Sequence, residues 1–483
     1  MRSATVRCRR TLVPGLLILA ALSSVATPAG AADGPIALHP DNPHYFVFRD
    51  KATVLITSGE HYGAVLNLDF DYVPYLDELQ RHGLNLTRTF SGVYCEAPGS
   101  FGIRGNPLAP AAGRLICPWA RSSKPGYAAG GNKFDLDRWD DAYFTRLKDF
   151  VAQAGRRGIV VELVLFCPFY KDEMWNLSPM NARNNTGDIG QMKRTDVYTL
   201  NHKDLLAAHE AVTRKIVTEL KDFDNVYYEV CNEPYFGGVT MPWQERIIAV
   251  IVDAEKNFPH KHLIALNVAN GRKKVEHPNA AVSIFNFHYA TPPDTVAMNF
   301  HLNRVIGDDE TGFKGSADFT YRAEGWDFII AGGGLYNNLD YSFTPEHEDG
   351  TAEPDAPGGG GRELRKQLAI LKRFVEGFDF LRMSPASLAA GGPDNSIVRG
   401  KLPAKVTARA LVEKGKQYAV YVRGDGLKDL ALDLPAGSYR AEWINTRSGA
   451  TDKAEAFRHA GGERRLQLPS YRQDVALRLS GGK

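Results

Sequence analysis

The residues best suited to acid–base chemistry lie in one stretch, VYYEVCNEPYFGG, from position 226 to 238. Residues 226–230 are aromatic or β-branched apart from Glu229 and contain no turn residue, which predicts a mostly buried strand. The strand ends in Cys231-Asn232-Glu233-Pro234, where the proline stops the ladder and stiffens the exit. A carboxylate just past the end of a buried strand is poorly explained by packing, because carboxylates are rarely buried unless paired or working. Glu233 is therefore a candidate catalytic acid. A second carboxylate, Glu310, ends the stretch RVIGDDE at 304–310. Its neighbours Asp308 and Asp309 compete for the role. Alternation along a strand puts 308 and 310 on one face and 309 on the other, so Asp309 is the weakest of the three.

Two distant carboxylates can meet only if the elements that carry them bring their ends together. Segments with strand character recur at 53–56, 84–90, 159–166, 226–230, 263–270, 281–289, 304–311 and 328–334. Helical patterns separate most of them, at 71–82, 135–154, 203–222, 242–258 and 316–325, and the last helix spans 361–378. This alternation implies a parallel sheet. Eight units over roughly 330 residues predict an α/β fold of the closed (β/α)8 TIM-barrel type, whose chemistry sits where strands end and helices begin. No Gly-rich phosphate loop follows the first strand, which argues against an open doubly wound sheet. A β-hairpin at 39–56 introduces the barrel. Long loops at 91–133 and 167–202 carry aromatics and are expected to shape the mouth. The acidic, Gly-rich stretch before the last helix, ending at 358–361, reads as a flexible, solvated excursion. Beyond Ser384-Pro385 short alternating segments separated by turn residues predict a small antiparallel β-sandwich. The expected layout is thus 1–31 as a signal peptide, 32–385 as the barrel and 386–483 as the sandwich.

Composition sets the compartment and excludes some partners. The chain has 483 residues, is 43% hydrophobic and 24% charged, and carries a formal net charge of +2. Arg2, Arg7, Arg9 and Arg10 precede the first acid, Asp33; without them 58 basic residues become 54 against 56 acidic ones. That leaves no basic excess to hold nucleic acid. The basic start, the apolar stretch 12–26 and the small residues Ala29-Gly30-Ala31 form a secretory signal-peptide pattern. A secreted or periplasmic protein follows, with no membrane attachment after cleavage, since no later segment approaches the ~20 apolar residues of a spanning helix. The mature chain is expected to be monomeric and keeps Cys95, Cys117, Cys167 and Cys231. An even count in an exported protein permits disulfides, and Cys95–Cys117, bracketing one long loop, is the preferred pair.

Glycosidic hydrolysis needs two carboxyl groups flanking one bond, and in the retaining variant one of them attacks the anomeric carbon. Glu233 and Glu310, at the ends of the fourth and seventh strands, meet that requirement if the barrel closes. Asn232 could hydrogen-bond a sugar 2-hydroxyl. The NEP at 232–234, Glu310, Arg88 in LTRTF and His288-Tyr289 in NFHY together resemble glycoside hydrolase clan A, and family 5 (cellulase-like) in particular. The resemblance implies a retaining mechanism, with Glu233 as acid/base and Glu310 as nucleophile. It places Arg88 and Tyr289 beside Glu310, keeping it ionised, and turns His288 toward the substrate side of the mouth. Two features depart from the family. The third strand ends in Phe166-Cys167 where a histidine is usual, and the eighth is followed by no tryptophan platform. The sandwich, with YRAEWINTRSG at 439–449, is similar to the small domain behind family 140 apiosidase-like barrels.

Further candidates follow from position alone. Glu60 and His61 end the first strand and could contact sugar; Trp119, Trp175 and Tyr235 could stack on sugar faces. Asp340 is a minor candidate. The expected partner is a carbohydrate, with no cofactor and no metal: His61 has no second histidine at useful ligand spacing. Two alternatives stay open, a non-catalytic glycan-binding barrel, whose carboxylates would lie too far apart to cooperate, and a metal-dependent hydrolase.

Overall fold

The computed structural model describes Met1 and residues 34–354, 357–386 and 397–482. The signal-peptide pattern lies outside these residues, Met1 apart. Eight parallel strands form the central sheet: β1 (Leu55–Gly59), β2 (Leu86–Phe90), β3 (Val160–Phe166), β4 (Val226–Cys231), β5 (Ile264–Asn270), β6 (Ile284–His288), β7 (Val305–Thr311) and β8 (Leu335–Leu339). Their order runs β1-β8-β7-β6-β5-β4-β3-β2, so the first and second strands are the two ends of the sheet. Asn85 bridges that seam. Its side-chain carbonyl accepts from Ile56 N at 3.0 Å, its amide donates to Val54 O at 2.9 Å and its backbone N–H to Ile56 O at 3.3 Å. The expected (β/α)8 barrel is the observed fold.

The amino-terminal end of the barrel is plugged. A hairpin forms where expected, but its strands are Phe46–Phe48 and Lys51–Thr53, with Lys51 in the second strand and 55–59 given to the barrel; Ala37–Leu38 extends it into a three-stranded sheet. Ile36, Phe46 and Phe48 pack on one apolar residue from each barrel strand: Leu55, Leu86, Val160, Tyr227, Ala265, Ile284, Val305 and Leu335. With that end filled, polar side chains higher in the barrel open only toward the carboxyl ends of the strands.

Three local expectations change. The helix expected at 135–154 is Asp141–Arg156, started by Asp140, whose carboxylate accepts from Ala142 N and Tyr143 N. Residues before it form strand Asn132–Trp139, paired with Trp119–Pro125 inside the first long loop. The apolar run 328–334, expected as the last strand, instead completes helix Asp318–Ile330, and β8 follows it. That helix is buried all round, so no amphipathic period marks it. Its outer side meets the carboxy-terminal region: Trp326 stacks on Tyr421, Arg322 pairs with Asp474 at 2.7 Å, and Asp327 takes Arg409 and Arg423. Third, the 358–361 glycines are not a solvated excursion. Gly358 and Gly359 are buried so tightly on Tyr341 and Tyr321 that a Cβ would lie 2.2 and 2.3 Å from those rings.

The carboxy-terminal region is an antiparallel sandwich of a six-stranded and a three-stranded sheet. Its core gathers Tyr418, Val420, Leu430, Leu432, Trp443, Leu466 and Leu477. Among the described residues, no helix is long and apolar enough to cross a membrane.

Candidate active site

Glu233 and Glu310 converge at the carboxyl ends of β4 and β7. One oxygen of each and one ring nitrogen of His288 lie within 4.8 Å of one another. The backbone of Glu233 is left-handed, with φ 36°, a conformation that costs a non-glycine residue energy and recurs at functional sites. Tyr62, Phe101, Tyr289 and Phe313 share it, at φ 59°, 55°, 54° and 56°. All five line one cavity of about 380 Å³ over the barrel mouth, with His61, Phe90, Glu96, Leu108, Cys167, Tyr170, Asn232, Phe236, Asn270 and Glu310.

Glu310 is held as an anion. Tyr62 and Tyr289 donate their hydroxyls to its two oxygens at 2.8 and 2.5 Å, and Arg88 Nη1 lies 3.5 Å from Oε2. Burial alone would raise its pKa, but the His288 and Arg88 charges and the Tyr289 hydrogen bond outweigh it and hold the carboxyl well below its usual range. Glu233 has a different setting. Tyr170 donates to its Oε2 at 2.5 Å and Tyr235 to its Oε1 at 3.3 Å; Tyr235 also bonds Asn270. Asn232 accepts from Arg88 Nη2 at 2.7 Å and donates to the Tyr170 hydroxyl at 2.8 Å, which ties the two glutamates into one frame.

His288 sits beneath both glutamates. Its Nδ1 is 3.4 Å from an oxygen of each, and its Nε2 is 3.3 Å from Asp309. It is fully buried, which corrects the expectation that it faces substrate. Burial works against its charge, yet Glu310, Tyr235 and Asp309 raise its pKa well above the usual value.

Below His288 lies a sealed polar layer. Glu162 of β3, Glu229 of β4 and Asp309 of β7 surround the Arg88 guanidinium, at 3.9, 2.5 and 3.2 Å. The Asn286 amide of β6 reaches all three carboxyls at 2.7 to 2.9 Å. Gly307 makes the room: a Cβ there would lie 2.4 Å from Asn286 Oδ1. Burial pushes Glu162 up to about 8 and Glu229 well above its usual value, while Arg88 and His288 hold Asp309 below its own. The layer is thus close to neutral, with Arg88 already supplying the cation that three acids could otherwise bind.

The β7 carboxylates also correct a register expectation. Pairing of β7 shifts against both neighbours, between Phe287 and His288 and between Asp308 and Thr311. Such an irregularity breaks strict alternation. Asp309 and Glu310 consequently both serve the barrel interior. Asp308 turns away, toward Ala290 N at 3.5 Å and the neighbourhood of Glu324.

Of the residues singled out from sequence, Glu233, Glu310, Asn232, Tyr289 and His61 line the cavity, Arg88 and His288 support it from beneath, and Tyr235 stands at its rim. Glu60 does not contact the cavity. It is fully buried, accepts from Gly63 N and Ala64 N, and so fixes the turn that presents His61 and Tyr62. Trp119 and Trp175 are core residues rather than platforms: Trp119 is 0% exposed, and Trp175 donates to Met192 O at 3.0 Å and packs on Phe169. Asp340 is buried against Arg365 at 2.6 Å. Cys95 and Cys117 form no disulfide. Both thiols are free and buried, and Cys117 bonds the Trp119 carbonyl. With β8 at Leu335–Leu339, the aromatic beyond its end is Tyr341.

Sequence reasoning missed Tyr62, Tyr170 and Glu96. Tyr62 and Tyr170 lie three and four residues past the ends of β1 and β3, so taking every hydroxyl-bearing aromatic just beyond a strand would have found them. Glu96 carried no such signal. The exposed aromatics Phe101, Tyr235, Phe236 and Phe313 also went unread as a group apart from Tyr235, and all four stand at this mouth.

Comparison with known proteins agrees with the geometry. The cellulase model of glycosyl hydrolase family 5 matches residues 114–324, the span that holds Glu233, His288, Tyr289 and Glu310. The chain is also similar to solved structures from Bacteroides vulgatus ATCC 8482. One is a candidate glycoside hydrolase, with TM-score 0.69 and 16% identity over 94% of this chain and 84% of that one. Another is a family 5 glycoside hydrolase, with TM-score 0.61 and 13% identity over 93% of this chain and 94% of that one. At these identities the likeness is one of fold. No curated protein matches the sequence. The chain resembles family 5 of clan A, and it shares its barrel fold with these glycoside hydrolases.

Proposed function

We propose that the protein is an exported, metal-independent glycoside hydrolase that cleaves O-glycosidic bonds of a poly- or oligosaccharide with retention of anomeric configuration. The observation that carries this reading is the pair Glu233 and Glu310, with oxygens within 4.8 Å at the foot of a cavity. Retaining enzymes hold their carboxyls about 5–5.5 Å apart, whereas inverting ones leave roughly 6.5–9.5 Å for a water. The same closeness speaks against a non-catalytic glycan-binding barrel. Export rests on the amino-terminal pattern of the sequence alone.

The two environments divide the labour. Glu310, kept ionised by Tyr62, Tyr289, Arg88 and His288, attacks the anomeric carbon and forms a glycosyl ester. Glu233 gives its proton to the leaving oxygen as that bond breaks. In the second half it takes a proton from water, which attacks the same carbon and releases Glu310. The Tyr170 and Tyr235 hydroxyls hold the Glu233 carboxyl in place throughout. The leaving group therefore departs toward Tyr235, Phe236 and Asn270. The sugar that is attacked lies toward Tyr62 and His61. The exposed rings of Phe101, Tyr235, Phe236 and Phe313 offer apolar faces for sugar rings on either side.

A screen of poly- and oligosaccharides and 4-nitrophenyl glycosides, with Glu310→Ala as control, tests the reading. Product release by the wild type and none by the variant is expected. Equal release by both overturns it.

A further inference from the structure

The wall of the cavity on the Glu310 side holds polar groups that the proposed mechanism does not use. His61 is 6% exposed, and neither ring nitrogen has a hydrogen-bond partner among the described residues. Its Nε2 stands 3.6 Å from Glu96 Oε2, beyond hydrogen-bond length. Glu96 is 4% exposed and fixed from behind: Asn106 Nδ2 donates to Oε2 at 2.6 Å and Tyr94 OH to Oε1 at 3.3 Å. Each carboxylate oxygen has accepted one bond and can accept another. The His61 ring stacks on Tyr62 at 5.4 Å and meets the tilted ring of Tyr341 at 5.7 Å, so its direction is set. The Tyr341 hydroxyl is likewise buried and without a partner among the described residues.

Buried polar groups in folded proteins are ordinarily satisfied, and the exceptions call for a reason. Here two residues facing one cavity leave a donor and an acceptor open, side by side. Burial works against the imidazolium, but the neighbouring Glu96, Glu310 and Glu60 raise the His61 pKa. The corner sets a donor beside an acceptor and suits a group carrying two neighbouring hydroxyl oxygens.

We propose that His61 and Glu96 form a specificity corner for two adjacent hydroxyl groups of the sugar ring whose anomeric carbon is attacked by Glu310. This rests on the glycosidase reading above. Glu96 accepts from one hydroxyl and His61 donates to the other. A substrate whose ring lacks one of these hydroxyls leaves a nearly buried donor or acceptor unpaired, a mismatch that sites of this kind reject strongly.

The test is a mutant-by-substrate cycle. The probes are the 4-nitrophenyl glycoside that the wild type turns over fastest and its series of monodeoxy analogues. Wild type, Glu96→Ala and the conservative Glu96→Gln are compared by kcat/KM, with thermal melting to confirm that each is folded. In the wild type, at least one ring-hydroxyl deletion should lower kcat/KM by about 10²-fold or more. Glu96→Ala should lose a similar factor on the parent glycoside but at most a few-fold more on that deoxy analogue. Glu96→Gln, which keeps one acceptor and the Asn106 contact, should recover part of the loss. A folded Glu96→Ala variant with wild-type kcat/KM overturns the corner, and so does one that loses equally on parent and every analogue. In either case turnover that still depends on Glu310 leaves the glycosidase reading standing. Turnover that survives Glu310→Ala sinks that reading and the corner with it.

Discussion

The barrel holds two clusters of acids stacked one above the other. The upper cluster is Glu233, His288 and Glu310; the lower is Glu162, Glu229 and Asp309, and in each the polar atoms lie within 4.8 Å. Both draw on Arg88, and His288 links them through Asp309. The residue types are nearly the same, but the surroundings differ. The upper glutamates are 8% and 6% exposed, line a cavity and include a backbone strained at φ 36°. The lower acids are 0% exposed, border no described cavity and surround their own counter-charge. Closeness of carboxylates alone does not make an active site. Access, strained presentation and an unequal division of counter-charges separate the working pair from the supporting one.

Breaking the upper cluster should cost activity, and breaking the lower should cost stability. Glu310→Ala is expected to lower kcat by about 10⁴- to 10⁶-fold while circular dichroism stays native, since a nucleophile acts as part of a unit. Glu233→Gln should lose about 10²- to 10⁴-fold with a leaving group that needs protonation, and much less with a 2,4-dinitrophenyl leaving group, measured by steady-state kinetics. Arg88→Ala leaves buried acids uncompensated and should destabilise the fold by about 3–5 kcal/mol in urea unfolding.

Glu162→Gln separates the clusters by pH. Folded Glu162 keeps its proton up to about 8, whereas an unfolded glutamate releases it near ~4.3. Between those values the native state binds more protons, so this group lowers stability as pH rises. The variant should therefore lose less stability than the wild type between pH 5 and pH 8, read as the shift in urea midpoint. Glu310 has the opposite sign: its depressed pKa adds stability above the unfolded value that is lost as pH falls below it. Parallel pH profiles for Glu162→Gln and wild type would contradict the sealed, protonated lower layer. The smallest effect expected is that of a chelator, which should leave turnover unchanged because Arg88 and His288 already supply the positive charge. Loss of turnover restored by a divalent cation would reverse that assignment.

Residues at strand ends were legible because position and chemistry coincide there. Glu233 behind a buried strand and before a proline and Glu310 at the end of another both line the cavity, and Arg88 and Tyr289, placed by family pattern, both reach Glu310. What escaped depended on contacts between distant segments. Trp119 and Trp175 look like platforms in loops, but those loops fold on themselves and bury them. The Asp308 to Glu310 register could not be read because the shift arises from pairing with both β6 and β8. Helix Asp318–Ile330 lost its periodic signal because the sandwich covers its outer side. Glu96 sits in a long irregular loop, where sequence says little about direction.

The most direct measurement is the site of covalent capture. A 2,4-dinitrophenyl 2-deoxy-2-fluoro glycoside of the preferred sugar should inactivate the enzyme by slowing release of the glycosyl ester, and peptide mass mapping then locates the adduct. One sugar per chain, on Glu310, is the expected result. An adduct on Asp309 or Glu233, or no adduct together with a first product of inverted anomeric configuration by NMR, would contradict it.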